Sequence, residues 1–526
     1  MDISLFEVVG PIMMGPSSSA TAGMARIGAT AHRFLTEKVR SIDLKFTPRF
    51  CTVYAGDRSH LAIIAGVLGL SEYDPRIKEA LDMARAQGIS VTTSVFKEPA
   101  PEHALTVKVT MGLESGKKCS VTCVSVGGGS IAVIGIDEFE VHLSGTESYL
   151  FAWSNHPMMG ELETAFPGAK ISMDEKGGKV LSYISLREKE LAAASEKAAA
   201  IPGVVRTYTI DPVIPLGYVP NKPTFTTYAE LLELCEKTGK TLPELAIEYE
   251  INRSGRTREA IWGQMAEQLK VMQNVKERTL TEEITPIYGF ESGNDAKTIL
   301  KVYKEGRSLS GSVIPRALAT AIGTMEYSGA MAGCIVAVPT GGSSGILPGG
   351  ILTLQEDRNL SDEKLIESMF VAAAMGAVMY YHGSTFSGSA GGCQAEVGVS
   401  SAITAGALTY LAGGTPKQVV EAVTFGIKNL MGLICDPFGC IEVPCIKRNG
   451  IGVTNAFASA EMALVGIESF IPADELIDSF VWTQKAMPVC LRGGGCGTTG
   501  TPTAVRTKQR IKEMDAAILL PLSDEE

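Results

Sequence analysis

Cys435-Asp436-Pro437-Phe438-Gly439-Cys440-Ile441-Glu442-Val443-Pro444-Cys445 sets three thiols within eleven residues and runs on into Ile446-Lys447-Arg448-Asn449. A fourth thiol stands upstream in Gly391-Gly392-Cys393-Gln394-Ala395-Glu396-Val397-Gly398. The spacings match neither the paired knuckles of a zinc ribbon nor the compact run of a ferredoxin. Spacing alone favours buried structural cysteines. The surroundings pull the other way. Cys393, Cys435 and Cys445 each adjoin Gly, Pro or Asp-Pro, and a metal cluster needs such loops, whose backbone N–H groups can reach sulfur.

Around these loops the chain reads as helix. From 312 to 481 there are few strand signals. Ile366 to Tyr381 comes closest to a membrane span, but Glu367, Ser368 and His382 interrupt or bound it, so buried helices are expected. Thr227-x-x-Glu230 and Thr241-x-x-Glu244 are capping boxes, and Ala260 to Val275 is a long amphipathic segment. Val338 to Gly350 is dense in glycine and serine. It reads equally as a tight helix connection or as a nest of backbone N–H groups for a carboxylate or phosphate.

Toward the N-terminus the pattern turns to mixed α/β. Gly15-Pro16-Ser17-Ser18-Ser19-Ala20-Thr21 leads into a helix of small residues, where the serines can cap free N–H groups or form an anion site. A helix is expected at His60 to Leu68. Strands are expected at 91–95, 105–109, 120–126 and 131–136, with Gly127-Gly128-Gly129 turning a hairpin. Glu188 to Ala200 reads as a helix between strands at 180–184 and 204–210. Pro212, Pro215, Pro220 and Pro223 mark a linker.

A chain of 526 residues exceeds a single core. The net charge of −11 argues against a nucleic-acid partner. The opening Met1-Asp2-Ile3-Ser4 lacks a signal core, which predicts a cytoplasmic protein. Eleven cysteines, an odd number scattered through apolar stretches, are expected as thiols rather than a disulfide framework.

Taken together, Gly392-Cys393-Gln394-x-Glu396-Val397-Gly398, Leu433-x-Cys435-Asp436-Pro437 and Val443-Pro444-Cys445-Ile446-x-Arg448-Asn449 resemble the iron–sulfur-dependent L-serine dehydratases of bacteria, in their single-chain form. The resemblance implies a multidomain α+β fold. Residues 1–145 would be the β-type domain, 146–212 an ACT-like regulatory or spacer segment, 213–224 a linker, and 225–526 an all-helical catalytic domain. It implies a 4Fe–4S cluster on Cys393, Cys435 and Cys445, with Cys440 a bystander. The open fourth iron would act as Lewis acid in β-elimination from L-serine to pyruvate and ammonia. Ser17, Ser18, Ser19 and His60 would serve catalysis, and Thr21, Ser343, Ser344, Arg448 and Asn449 would bind substrate. The implied partner is a small amino acid, with no nucleic acid or membrane, and the glycine-rich helical part suggests a homodimer.

Departures are specific. Ala20 stands where the family's serine loop has histidine, and the Cys435–Cys445 interval is one residue short. Cys490 and Cys496 could stand in for a missing terminal cysteine or be unrelated. These departures keep three alternatives open: elimination from L-cysteine, from L-threonine or a β-hydroxy acid, or a non-catalytic amino-acid-binding paralogue.

Overall fold

The computed structural model describes residues 3–219, 221–290, 292–437, 443–493 and 495–523. Two helices, α1 (Gly23–Arg33) and α2 (Ser59–Val67), pack against each other at close range. The run of small residues makes this approach achievable. A Cβ at Gly28 would lie 2.1 Å from the Ile63 carbonyl oxygen, and one at Gly66 2.1 Å from that of Ala25. They accompany a six-stranded sheet of β1 (Val39–Phe46), β2 (Ser90–Val95), β3 (Thr106–Leu113), β4 (Lys118–Gly127), β5 (Ser130–Ile136) and β6 (Phe139–Ser144), ordered β2-β1-β3-β4-β5-β6. β1 and β2 are parallel and the other pairs antiparallel. The four expected strands are present, and Gly127, Gly128 and Gly129 turn the β4–β5 hairpin with positive φ. β1 adds a strand whose Ile42, Leu44 and Phe46 alternate inward and are fully buried. Residues 521–523 cover the edge of β2: Thr93 N–H donates to the Pro521 carbonyl (2.9 Å) and Ser523 N–H to that of Thr93 (2.8 Å).

The next unit is β7 (Ser148–Ser154), α3 (Met159–Ala165), β8 (Ile171–Lys176), β9 (Lys179–Leu186), α4 (Leu191–Ala199) and β10 (Val204–Ile210). Its antiparallel sheet runs β10-β7-β9-β8, the split β-α-β arrangement. The β-α-β pattern expected from sequence is its second half. Leu150, Leu162, Ile184 and Ala198 form its own small core.

Helices dominate thereafter: α5 (Arg258–Thr281), α6 (Val313–Gly329), α7 (Ile346–Arg358), α8 (Asp362–Tyr381), α9 (Val397–Leu411), α10 (Pro416–Lys428), α11 (Val443–Leu464), α12 (Ala473–Ala486) and α13 (Pro502–Met514). α8, capped by Ser361, is buried nearly all round from Leu365 to Met379. It is a core helix, and among the described residues no helix is long and apolar enough to cross a membrane.

The N-terminal segment fastens the sheet part to the helical part. Ile12–Met13 pairs antiparallel with Ile335–Val336. The buried Glu250 carboxylate accepts from the Ser4 hydroxyl (2.9 Å) and Leu5 N–H (2.8 Å) and pairs with Arg253 at 3.1 Å. Burial raises its pKa, opposed by Arg253. These contacts set the serine loop against the glycine loop.

Candidate active site

Ser17 is the extended N-cap of a π-helical turn, Ser18–Ala22, that runs straight into α1. Its hydroxyl accepts from Ala20 N–H at 3.0 Å. Two carbonyls and one hydroxyl of the turn are held from outside. Ser125 donates to the Ser19 carbonyl (2.9 Å), Ser59 to that of Ala20 (2.6 Å), and Thr21 donates to the Asp57 carbonyl (3.0 Å). Facing it is the loop at Thr340–Gly345. A Cβ at Gly341 would lie 2.9 Å from Ser18 N, so only glycine permits this approach.

Asn449 on α11 organises the glycine loop. It donates to the carbonyls of Gly342 (2.8 Å) and Cys445 (2.7 Å) and accepts from Gly345 N–H (3.0 Å). The Ser343 hydroxyl donates to the Val338 carbonyl (2.7 Å), and that of Ser344 points to the Met325 sulfur at 3.3 Å. Both serines are fully buried and spend their hydroxyls on the protein.

Two of the three thiols, Cys393 and Cys445, lie near Arg448, and the residues on either side of Cys435 bond it. Cys393 is fully buried in the short turn before α9, Cys445 is buried on α11, and Cys435 is half-buried. Arg448 donates to the Ile434 carbonyl at 2.8 Å, hydrogen-bonds Cys393 and pairs with Asp436. Burial draws its pKa down, but Cys393, Asp436 and Cys445 outweigh this and the net shift is upward. The Cys435 loop is clasped by a distant segment: Cys435 N–H donates to the Leu491 carbonyl (2.9 Å), and Gly493 N–H to that of Cys435 (2.7 Å). Cys440 lies outside the described residues.

A cavity of about 350 Å³ opens between these parts. Its walls include Ser17, Ser19 and Ala20 on one side and Cys435, Cys445 and Glu396 on the other, with Asp57, Arg49, Arg492 and Lys508 around them. Burial pushes the Glu396 carboxyl up to about 7, against Thr340 and Arg448. Burial likewise pushes Asp57 up to about 7, against Arg58. Glu396 was in the cysteine motif itself, where a carboxylate three residues after a thiol in an apolar stretch is the signal. Asp57 and the cations came from segments without a motif.

Ser17, Ser19, Cys435 and Cys445 therefore share one cavity. Ser18, Thr21, Ser343, Ser344, Cys393, Arg448 and Asn449 stand behind its walls. His60 does not line it. The imidazole is fully buried on α2, edge-on to Tyr54 at 5.0 Å, and burial and Arg58 lower its pKa to about 3.

A family model described as serine dehydratase alpha chain matches residues 237–495. The "probable L-serine dehydratase, alpha chain" of Bacillus subtilis is 40% identical over 289 residues, 55% of this chain and 95% of that protein. The chain belongs to the L-serine dehydratase family. The "L-serine dehydratase, alpha chain" of Peptoniphilus asaccharolyticus is 35% identical over 292 residues, 55% of this chain and 99% of that one. The "probable L-serine dehydratase, beta chain" of Bacillus subtilis is 38% identical over 154 residues, 29% of this chain and 65% of that one. The chain thus matches both an alpha and a beta chain.

Among the described residues, no three His, Cys, Asp or Glu side chains converge as a single metal ion would require. A polynuclear cluster asks for something else, since each thiolate binds a different iron and the thiols stand apart. Cys393, Cys435 and Cys445 are thiols of the kind such a cluster would take, and two of them reach one cavity. Gly388 lets Glu396 and Cys435 approach the backbone together: a Cβ there would lie 2.3 Å from the Glu396 carboxylate and 3.2 Å from the Cys435 sulfur.

Proposed function

We propose that the protein is a carbon–oxygen lyase that converts L-serine to pyruvate and ammonia within the cavity between Ser17–Ala20 and Cys435–Cys445. The observation that carries the reading is the meeting of two of the three motif thiols, the serine loop and a carboxyl near 7 in one cavity. A 4Fe–4S cluster on Cys393, Cys435 and Cys445 would supply a Lewis acid for the departing hydroxyl.

The chain's own residues do the rest. Arg49, Arg492 and Lys508 draw the substrate carboxylate to the cavity. Ser17 and Ser19, at the start of the π turn, orient it with their hydroxyls and backbone N–H groups. Glu396 takes the Cα proton as the β-hydroxyl leaves, giving aminoacrylate. Its imine tautomer hydrolyses to pyruvate and ammonia. Thr21 and Ser59 fix the serine loop from beneath, through the carbonyls of Asp57 and Ala20. Ser343, Ser344 and Asn449 hold the opposite wall, and Arg448 holds Cys393 and the residues on either side of Cys435 together.

Ala20 in the cavity wall supports a second reading, in which the room left by the missing imidazole admits the extra methyl of L-threonine. The domain division stated above belongs to the same proposal. The split β-α-β unit supports an ACT-like role for 146–212, and Val465, Ile467 and Phe470, exposed in one loop, support a homodimer. A cytoplasmic location suits an oxygen-sensitive cluster. The test is release of 2-oxo acid, ammonia and sulfide from L-serine, L-threonine and L-cysteine by anaerobically purified protein. Serine turnover that exceeds the others and vanishes in Cys445→Ala is expected. Equal or greater turnover of threonine selects the second reading, and no turnover of any of the three overturns both.

A further inference from the structure

Cys490 and Cys496 take no part in the reaction as proposed. Neither thiol lines the cavity, although Arg492, Gly493 and Gly495 between them do. They are therefore poorly placed as a fourth thiolate. They are well placed for each other. Cys496 N–H donates to the Cys490 carbonyl at 3.2 Å, and the neighbouring Cys490 thiol pushes the Cys496 thiol up. Gly493 and Gly495, with φ of +76° and +99°, supply the left-handed turn that closes the loop. One hydrogen bond between the backbones brings the Cα atoms to about 5–6 Å, the separation a disulfide requires. Cys496 is exposed and Cys490 half-buried, so a reagent reaches the pair from solvent.

We propose that Cys490 and Cys496 form a reversible disulfide by exchange with a small-molecule disulfide, and that this bridge tightens the clasp on Cys435. The Cys496 thiolate attacks the reagent's S–S bond, forms a mixed disulfide and expels one thiol. The Cys490 sulfur then attacks Cys496, closing the protein bridge and expelling the second thiol. Two protein S–H groups are oxidised, and one reagent disulfide is reduced to two thiols. The closed loop holds Leu491 and Gly493, which bond both sides of the Cys435 peptide. The bridge itself is independent of the activity, and its meaning for the cluster rests on Cys435 being a ligand as proposed above.

Arg492 makes the test direct, because trypsin cuts between the two cysteines. The full-length protein is incubated anaerobically with glutathione disulfide at pH 8, alkylated and digested. A linked pair, residues 486–492 joined to 493–506, is expected in the wild type. It is absent after dithiothreitol and in Cys496→Ser and Cys490→Ser. Only mixed disulfides, or linkage of either thiol to Cys435 or Cys440, would overturn the bridge. The rate of iodoacetamide reaction at Cys435 tests the clasp. Bridging should slow it about fivefold in the wild type and leave Cys496→Ser unchanged, since a closed loop opens less often. Equal rates in bridged and reduced protein would overturn the clasp while leaving the bridge. A protein lacking iron yet forming the linked pair would refute the cluster reading and not the disulfide.

Discussion

Two of the cavities differ in chemistry, and the larger of this pair is the less reactive. The one between the sheet domain and the split β-α-β unit holds about 460 Å³, against about 350 Å³ at the cysteines. Its walls include Phe34, Asp137, Trp153, Arg206 and Tyr208. Two of its charged groups, Arg206 and Asp137, are already engaged. Arg206 lies over Trp153 at 4.8 Å and Tyr208 at 5.5 Å, and Asp137 accepts from Ser120 N–H at 2.8 Å. Its thiol, Cys119, is pushed up to about 11 by burial first and by Asp137 next, so it stays protonated at neutral pH. The smaller cavity instead holds two carboxyls near 7, two thiols and the start of a helix. Volume marks where something can fit, and convergent titratable groups mark where chemistry can occur.

The sharpest way to break this contrast is Cys435→Ala. Loss of a Lewis acid worth several kcal/mol should cut pyruvate release about a thousandfold or more, with the circular dichroism unchanged. Glu396→Gln should lower kcat by about 10²- to 10⁴-fold with a small change in KM. The wild-type base must be ionised, so kcat should fall as pH drops through about 7, the value set by burial, and the variant should lack that limb. Gly388→Ala pushes a methyl between Glu396 and Cys435 and should cost about tenfold in kcat through misplacement alone, read by steady-state kinetics. Arg206→Ala, in the larger cavity, should leave kcat within about twofold and lower stability by about 1 kcal/mol through lost cation–π contact, measured by urea unfolding.

The smallest effect lies away from both cavities. His382 ends α8 and bonds Asp474 (3.1 Å) and Asp478 (2.7 Å). The Asp474 bond raises its pKa most, burial opposes, and Asp478 adds to the rise. A raised folded value means the stabilisation is complete below the unfolded value near 6.5 and lost as pH climbs through the folded one. His382→Asn should therefore cost under about 1 kcal/mol in acid and nothing in alkali, by thermal melts at both pH values.

The reactive cavity was more legible in the sequence than the idle one. The cysteine loops, the serine loop and the glycine loop each break helical periodicity with Gly, Pro or Ser, and such breaks are visible locally. Glu396 was visible but unweighted, because burial that raises a carboxyl comes from residues distant in the chain. His60 read as a candidate from its neighbours, and only packing shows it turned toward Tyr54. One wall of the larger cavity, at Trp153, comes from β7, which carries a weak signal, as does β8 in the same sheet. β7 is buried along almost its whole length and has no alternation, and β8 has no fully buried residue at all.

The most direct measurement pairs iron and acid-labile sulfide content with serine turnover in the same anaerobic preparations. The proposed site predicts about four of each per chain at full loading and activity proportional to iron across preparations. Iron-free protein that turns over serine at the full rate would contradict it.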